Sequence, residues 1–100
     1  DKTEIKPLTS FTKIWRIKNV GTCKWTKGYG LVFFNGDRIG GQGVFFSSTD
    51  PDIEPGMEVE IPIKMFTPEK KGEYYGEWIM VDDHGVSFGY PMYVMITVKK

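Results

Sequence analysis

The sequence predicts an all-β protein: an antiparallel β-sandwich of about seven strands with little or no helix. Three observations carry this. Apolar and polar residues alternate along most of the 100-residue chain, the period-two signature of strands with one buried face. Turn-forming clusters break the alternation about every eight to twelve residues, as NVGT, KGYG, NGDRIGGQG, STDPDIEPG, TPEKKG and DDHG. No stretch carries the 3.6-residue apolar stripe of an amphipathic helix.

The elements follow in order. Thr3 to Lys6 makes a short opening strand. In Phe11 to Lys18, Phe11, Trp15 and Ile17 fall on one face, with Thr12, Arg16 and Lys18 opposite. Asn19-Val20-Gly21 then reverses the chain, and Trp25 packs back against the end of the sandwich. Gly30 to Asn35 and Gly43 to Ser47 are short aromatic strands. Met57, Val59, Ile61, Ile63 and Met65 alternate with Glu58, Glu60, Pro62 and Lys64, the clearest strand in the chain. Pro62 lacks an N–H donor, which places this strand at a sheet edge or at a bulge. Tyr74 to Val81 and Met92 to Val98 are apolar on parts of both faces, as central strands are.

The segment TPEKKGEYYGEW points to the immunoglobulin-like version of the sandwich. It puts a turn and a glycine just before a tyrosine whose ring packs under the corner while its hydroxyl bonds to nearby backbone. Tyr74 or Tyr75 fits; alternation with Trp78 and Met80 favours Tyr74.

One hundred residues make one domain, 1–100, large enough to bury its own core. Thirteen basic residues balance thirteen acidic ones with no basic block, so the footprint of a nucleic-acid binder is missing. No apolar run approaches the length of a membrane-spanning helix, so no direct membrane insertion is expected. The sequence opens at Asp1, already inside patterned sequence, and reads as a domain excised from a larger protein. The single cysteine, Cys23, is either a reduced thiol or half of a disulfide whose partner lies outside this sequence.

Catalytic groups do not converge. Asp82-Asp83-His84 could ligate a metal, but consecutive residues splay apart and the following Gly85 makes the segment a turn. Asp50 and Asp52 lack the ligand spacing of a calcium loop. Cys23 has no histidine base nearby in sequence. GDRIGGQG neither opens a helix nor carries the Lys-Ser/Thr of a P-loop, and reads as a long flexible connection. The expectation is a non-enzyme with no metal and no cofactor. Aromatic residues are what remains. Trp15 and Trp78 face inward as core. Ile14, Tyr75, Ile79, Tyr93 and Met95 face outward, and on neighbouring strands they would make an apolar patch for a protein partner or for neighbouring domains of the same chain. Tyr29, Tyr90 and Tyr93 support the alternative, a carbohydrate-binding sandwich that stacks rings on sugars.

The run FTKIWRIKNVGTCKW, then GYGLVFFNGDRIGG, then EPGMEVEIPIKMFTPEKKGEYYGEW, and finally FGYPMYVMITV resembles the immunoglobulin-like, or four-tryptophan (FW), domain of the neighbour-of-BRCA-one autophagy receptors. The likeness covers nearly the whole chain. By it, three family tryptophans fall on Trp15, Trp25 and Trp78, and the fourth position falls on Tyr93, whose hydroxyl needs water or a partner. Asn19, Gly21 and Tyr74 complete the signature. The resemblance implies a non-catalytic protein-interaction or structural module of a multidomain protein. The wording of Gly-Thr-Cys-Lys-Trp and of the GDRIGG loop is similar to bacterial relatives. That implies an extracellular or cell-envelope setting and a preceding first strand that carried the partner of Cys23. The autophagy receptors imply a cytoplasmic one.

Overall fold

The computed structural model describes residues 2–99. Among them there are seven strands and no helix: β1 (Lys2–Ile5), β2 (Ser10–Lys18), β3 (Gly30–Gly36), β4 (Val44–Phe45), β5 (Glu58–Phe66), β6 (Gly72–Val81) and β7 (Ser87–Val98). They form a five-stranded sheet in the order β1-β7-β6-β3-β4, packed on a two-stranded sheet, β2-β5. All pairs are antiparallel except β1 with β7, which run parallel. This is the expected immunoglobulin-like sandwich, with one parallel pair that alternation alone could not reveal.

Inward residues follow the period-two pattern. β5 buries Ile61, Ile63 and Met65 and leaves Glu58, Glu60, Pro62 and Lys64 in water. Against them lie Trp78 and Met80 of β6, Leu31 of β3, and Val94, Ile96 and Val98 of β7. Two tryptophans join the layers: the rings of Trp15 (β2) and Trp78 (β6) lie 6.1 Å apart, and Phe33 meets Trp78 edge-on at 5.8 Å. Trp15 Nε1 also donates to the Tyr93 carbonyl on the rim of β7 at 3.3 Å. Trp78 Nε1 is buried without a hydrogen-bond partner among the described residues, so its ring is held by packing alone.

Tyr74 turns inward and its hydroxyl donates to the Lys70 carbonyl at 2.6 Å, the geometry of a tyrosine corner. Pro62 sits in β5, whose only strand partner among the described residues is β2. The segment expected to be a flexible connection, GDRIGGQG, is docked instead. Ile39 is buried in the core, its carbonyl accepts from Phe66 N, and Gly41 lies flat on Trp78. A Cβ at Gly41 would stand 2.8 Å from the indole, so glycine here permits close approach to the ring. A lone isoleucine among polar residues gave no periodic signal of this burial.

The expected outward patch is divided. Ile14 is exposed, but β2 belongs to the small sheet, so it points away from the opposite side of the sandwich. Ile79 is only 6% exposed. It lies on central strand β6 beside Val32 of β3, and neighbours on both sides enclose it. Tyr75, Tyr93 and Met95 remain together on the outer face, with the two tyrosine rings stacked at 5.7 Å.

Trp15→Phe keeps a ring in the core but deletes the bond to Tyr93 and part of the contact with Trp78. Urea unfolding should show a loss of about 1–3 kcal/mol; unchanged stability would mean that Trp15 does not join the sheets.

Candidate functional site

The site is built from one end of β2. At Asn19 the chain leaves the strand, and its buried side chain makes three hydrogen bonds. Nδ2 donates to the carbonyls of Cys23 and Ile53, each at 2.9 Å, and Oδ1 accepts from Gly21 N at 3.1 Å. Its backbone bonds both ways to the facing loop, Asn19 N to Met57 O and Gly56 N to Asn19 O. An amide alone supplies donors and an acceptor on one planar group. The result is a locked turn, with Val20 and Cys23 facing water.

Trp25 follows from that lock. Its N–H and carbonyl exchange hydrogen bonds with Ile53. The indole is thereby laid inward, 5.8 Å from the ring of Phe88, and Tyr29 meets Phe88 edge-on at 6.0 Å. Across from them β7 bulges. Trp78 pairs with Met92 and Met80 with Phe88, so Gly89, Tyr90 and Pro91 together face the single residue Ile79. Gly89 has φ 75°, and Tyr90 is thrown out to 92% exposure.

Between the locked turn and the bulge lies a cleft of about 700 Å³. Its floor is Trp25, Tyr29, Met80, Phe88 and Met92; one rim is Arg16 to Cys23, the other Asp82 and Gly89-Tyr90. The size and the apolar, aromatic floor are those of a ligand groove. Its few charged groups are largely committed. Arg16 is bonded to Glu60 at 2.9 Å, with Glu58 at 3.9 Å, which holds its pKa up. Asp82 Oδ1 accepts from the backbone N–H groups of Val86 and His84, which lowers its pKa. Desolvation against the cleft wall raises that of Tyr29.

The other sequence candidates fall outside this arrangement. Ligand atoms of Asp82, Asp83 and His84 lie within 4.8 Å of one another, yet Asp82 is engaged in closing its turn. Asp50 accepts from Ser47 N at 2.7 Å and Asp52 pairs with Lys24 at 3.6 Å. Cys23 is a free, exposed thiol on the cleft rim. Of the three tyrosines considered for sugar stacking, Tyr29 and Tyr90 line the cleft while Tyr93 is stacked on Tyr75 elsewhere. The sequence pointed to Trp25 as packing back on the end of the sandwich and to Tyr29 only as a ring for sugar stacking; it did not reveal Phe88, Met80 and Met92 as their partners. The signal available was the GYP triplet after Phe88, whose glycine and proline mark a bulge inside an apolar strand.

Fold and site together define an immunoglobulin-like domain with an aromatic cleft at one end and no convergent catalytic set among the described residues. A family model described as "Ig-like domain from next to BRCA1 gene" matches residues 1–98, and the chain belongs to that family. Relatives include Protein JOKA2 of Solanum tuberosum, 34% identical over 98% of this chain and 12% of its own length. Protein NBR1 homolog of Arabidopsis thaliana is 31% identical over 98% of this chain and 14% of its own. Protein ILRUN of Danio rerio is 34% identical over 96% and 33%. The chain thus spans between about a tenth and a third of these relatives. All three come from plants or animals, and the bacterial, extracellular setting drawn from the Gly-Thr-Cys wording finds no support among them.

Asn19→Ala would leave the Gly21 N–H and the Cys23 and Ile53 carbonyls without their side-chain partner. A loss of about 2–4 kcal/mol is expected in urea unfolding, against less than about 0.5 for Cys23→Ser on the exposed rim. Equal effects would contradict the locking role of Asn19.

Proposed function

We propose that the domain is a non-catalytic protein-binding module of a longer protein, and that the aromatic cleft between the Asn19 turn and the β7 bulge is its recognition site. The observation that carries this is the cleft itself: an open space of about 700 Å³ whose apolar floor comes from the large sheet and the Trp25–Tyr29 segment and one of whose rims comes from β2. Aromatic and methionine side chains are favoured at binding surfaces because they supply large contact area. The stacked pair Tyr75–Tyr93 on the outer face is the second candidate surface, smaller and already self-paired. Relatives in which the matched region is a minor part of the chain support a module working beside other domains. None of those relatives is named for carbohydrate binding. The plant and animal relatives favour the cytoplasmic setting over a bacterial envelope.

The test uses rim residues whose change does not threaten the core. Immobilised domain is compared with a Val20→Ser/Tyr90→Ser variant, both positions being largely exposed, in capture of proteins from eukaryotic lysate. The variant should melt within a few degrees of the parent and lose the captured proteins. Retention of the same proteins at the same level would remove the cleft as the site and return attention to Tyr75 and Tyr93.

A further inference from the structure

Among the described residues β2 has one strand partner, β5. Asn19 N bonds to Met57 O and Thr67 N to Thr9 O, one beyond each end of the β2–β5 register. Hydrogen-bonded pairs alternate in an antiparallel ladder, so Phe11, Lys13, Trp15 and Ile17 are the residues bonded to β5. The backbone groups of Ser10, Thr12, Ile14, Arg16 and Lys18 therefore point the other way. No hydrogen-bond partner meets them among the described residues.

Two features set this edge apart from the outer edge of β5. That edge carries Pro62, which has no donor, and at its end Phe66 N is already bonded to Ile39 O. β2 carries no proline and no bulge over its nine residues, and these are among the devices that keep strand edges from pairing. The open half, Arg16 to Lys18, is also the rim of the aromatic cleft.

We propose that the free edge of β2 receives an extended segment of a partner protein, which becomes a third strand of the small sheet. This rests on the cleft being the recognition site and specifies how it is read. Only extended main chain presents donors and acceptors with the two-residue repeat that the edge offers. Because inward and outward positions stay in step across paired strands, every second side chain of the segment points inward, and those nearest Ile17 enter the cleft and are apolar or aromatic. The intervening side chains lie beside Ile14, Arg16 and Lys18. Lys13 lies on the inner face, 5.7 Å from the Trp15 ring, and Arg16 is engaged by Glu60 and Glu58. Lys18, on the outward face of β2, has no ion pair among the described residues, so the segment carries acidic residues at its outward positions.

A capped heptapeptide, acetyl-Thr-Phe-Glu-Leu-Glu-Phe-Thr-amide, is the probe, titrated into labelled domain and followed by amide shifts. Its glutamates face β2 in the proposed pairing, and its leucine N–H faces solvent. Binding should shift Trp25, Phe88 and Met92 together with Ile14 and Arg16. N-methylation of both glutamates should weaken it about tenfold or more, N-methylation of the leucine by less than about threefold, and lysines in place of the glutamates several-fold. On the protein side, Ile14→Pro removes an edge donor that makes no bond to β5 and should abolish binding. Where that variant fails to fold, the methylated peptides decide alone. Binding at the cleft that is indifferent to which amides are methylated would overturn strand addition while leaving the cleft as the site. No binding at millimolar peptide would overturn the proposal, and lysate capture then decides the cleft independently. Concentration-dependent protection of Ile14 in the domain alone would assign the edge to a second copy of the chain, and would also overturn it.

Discussion

The indole of Trp15 leaves the small sheet, lies 6.1 Å from Trp78 of the large one, and donates its N–H to the Tyr93 carbonyl at the rim of β7. A two-stranded sheet has little stability by itself, so β2 and β5 depend on what they pack against. Trp15 supplies that in two ways: apolar area in the centre and a directional bond at the side. The bond falls on a backbone carbonyl that β6 does not use. It therefore fixes how far β2 sits over the edge of β7, and with that the width of the opening between the sheets.

The opening becomes a cleft because of polar chemistry a few residues on. Asn19 closes a turn, and that turn holds Trp25 against Ile53. Trp25 in turn meets Phe88, which the bulge of β7 has set at the mouth. A hydrogen-bonded amide thus controls the position of an apolar surface. Satisfied buried amides specify a single arrangement, because any alternative leaves backbone groups unpaired. The NxG spacing and the two tryptophans that stand out in the sequence are parts of one device. Cys23, which lies between them, is a bystander on its rim.

Much of the fold was legible because alternation reports burial directly. β5 and β2 lie within a residue of their expected bounds, and Pro62 marked an edge for a stated reason. What was not legible has common causes. Ile14 and Ile79 share a pattern of facing outward, but the pattern does not say which sheet a strand joins or whether it is central. The docking of Ile39 and Gly41 is a tertiary event in a glycine-rich loop without period. The cleft needed the register of β6 on β7, and one bulge around Tyr90 sets Phe88 and Met92 where they are. Expectations about setting drawn from the wording of a turn and a loop were weaker still, since short stretches that solve a local folding problem recur wherever that problem does.

β2 is held on one side by β5 and open on the other. Amide hydrogen exchange of the isolated domain, read residue by residue along Ser10–Lys18, tests this without any ligand. Trp15 and Ile17, bonded to β5, should exchange on the order of a hundredfold or more slowly than Ile14, Arg16 and Lys18, whose N–H groups face water. Uniformly slow exchange along the strand would show that the edge is already covered, and would contradict the account.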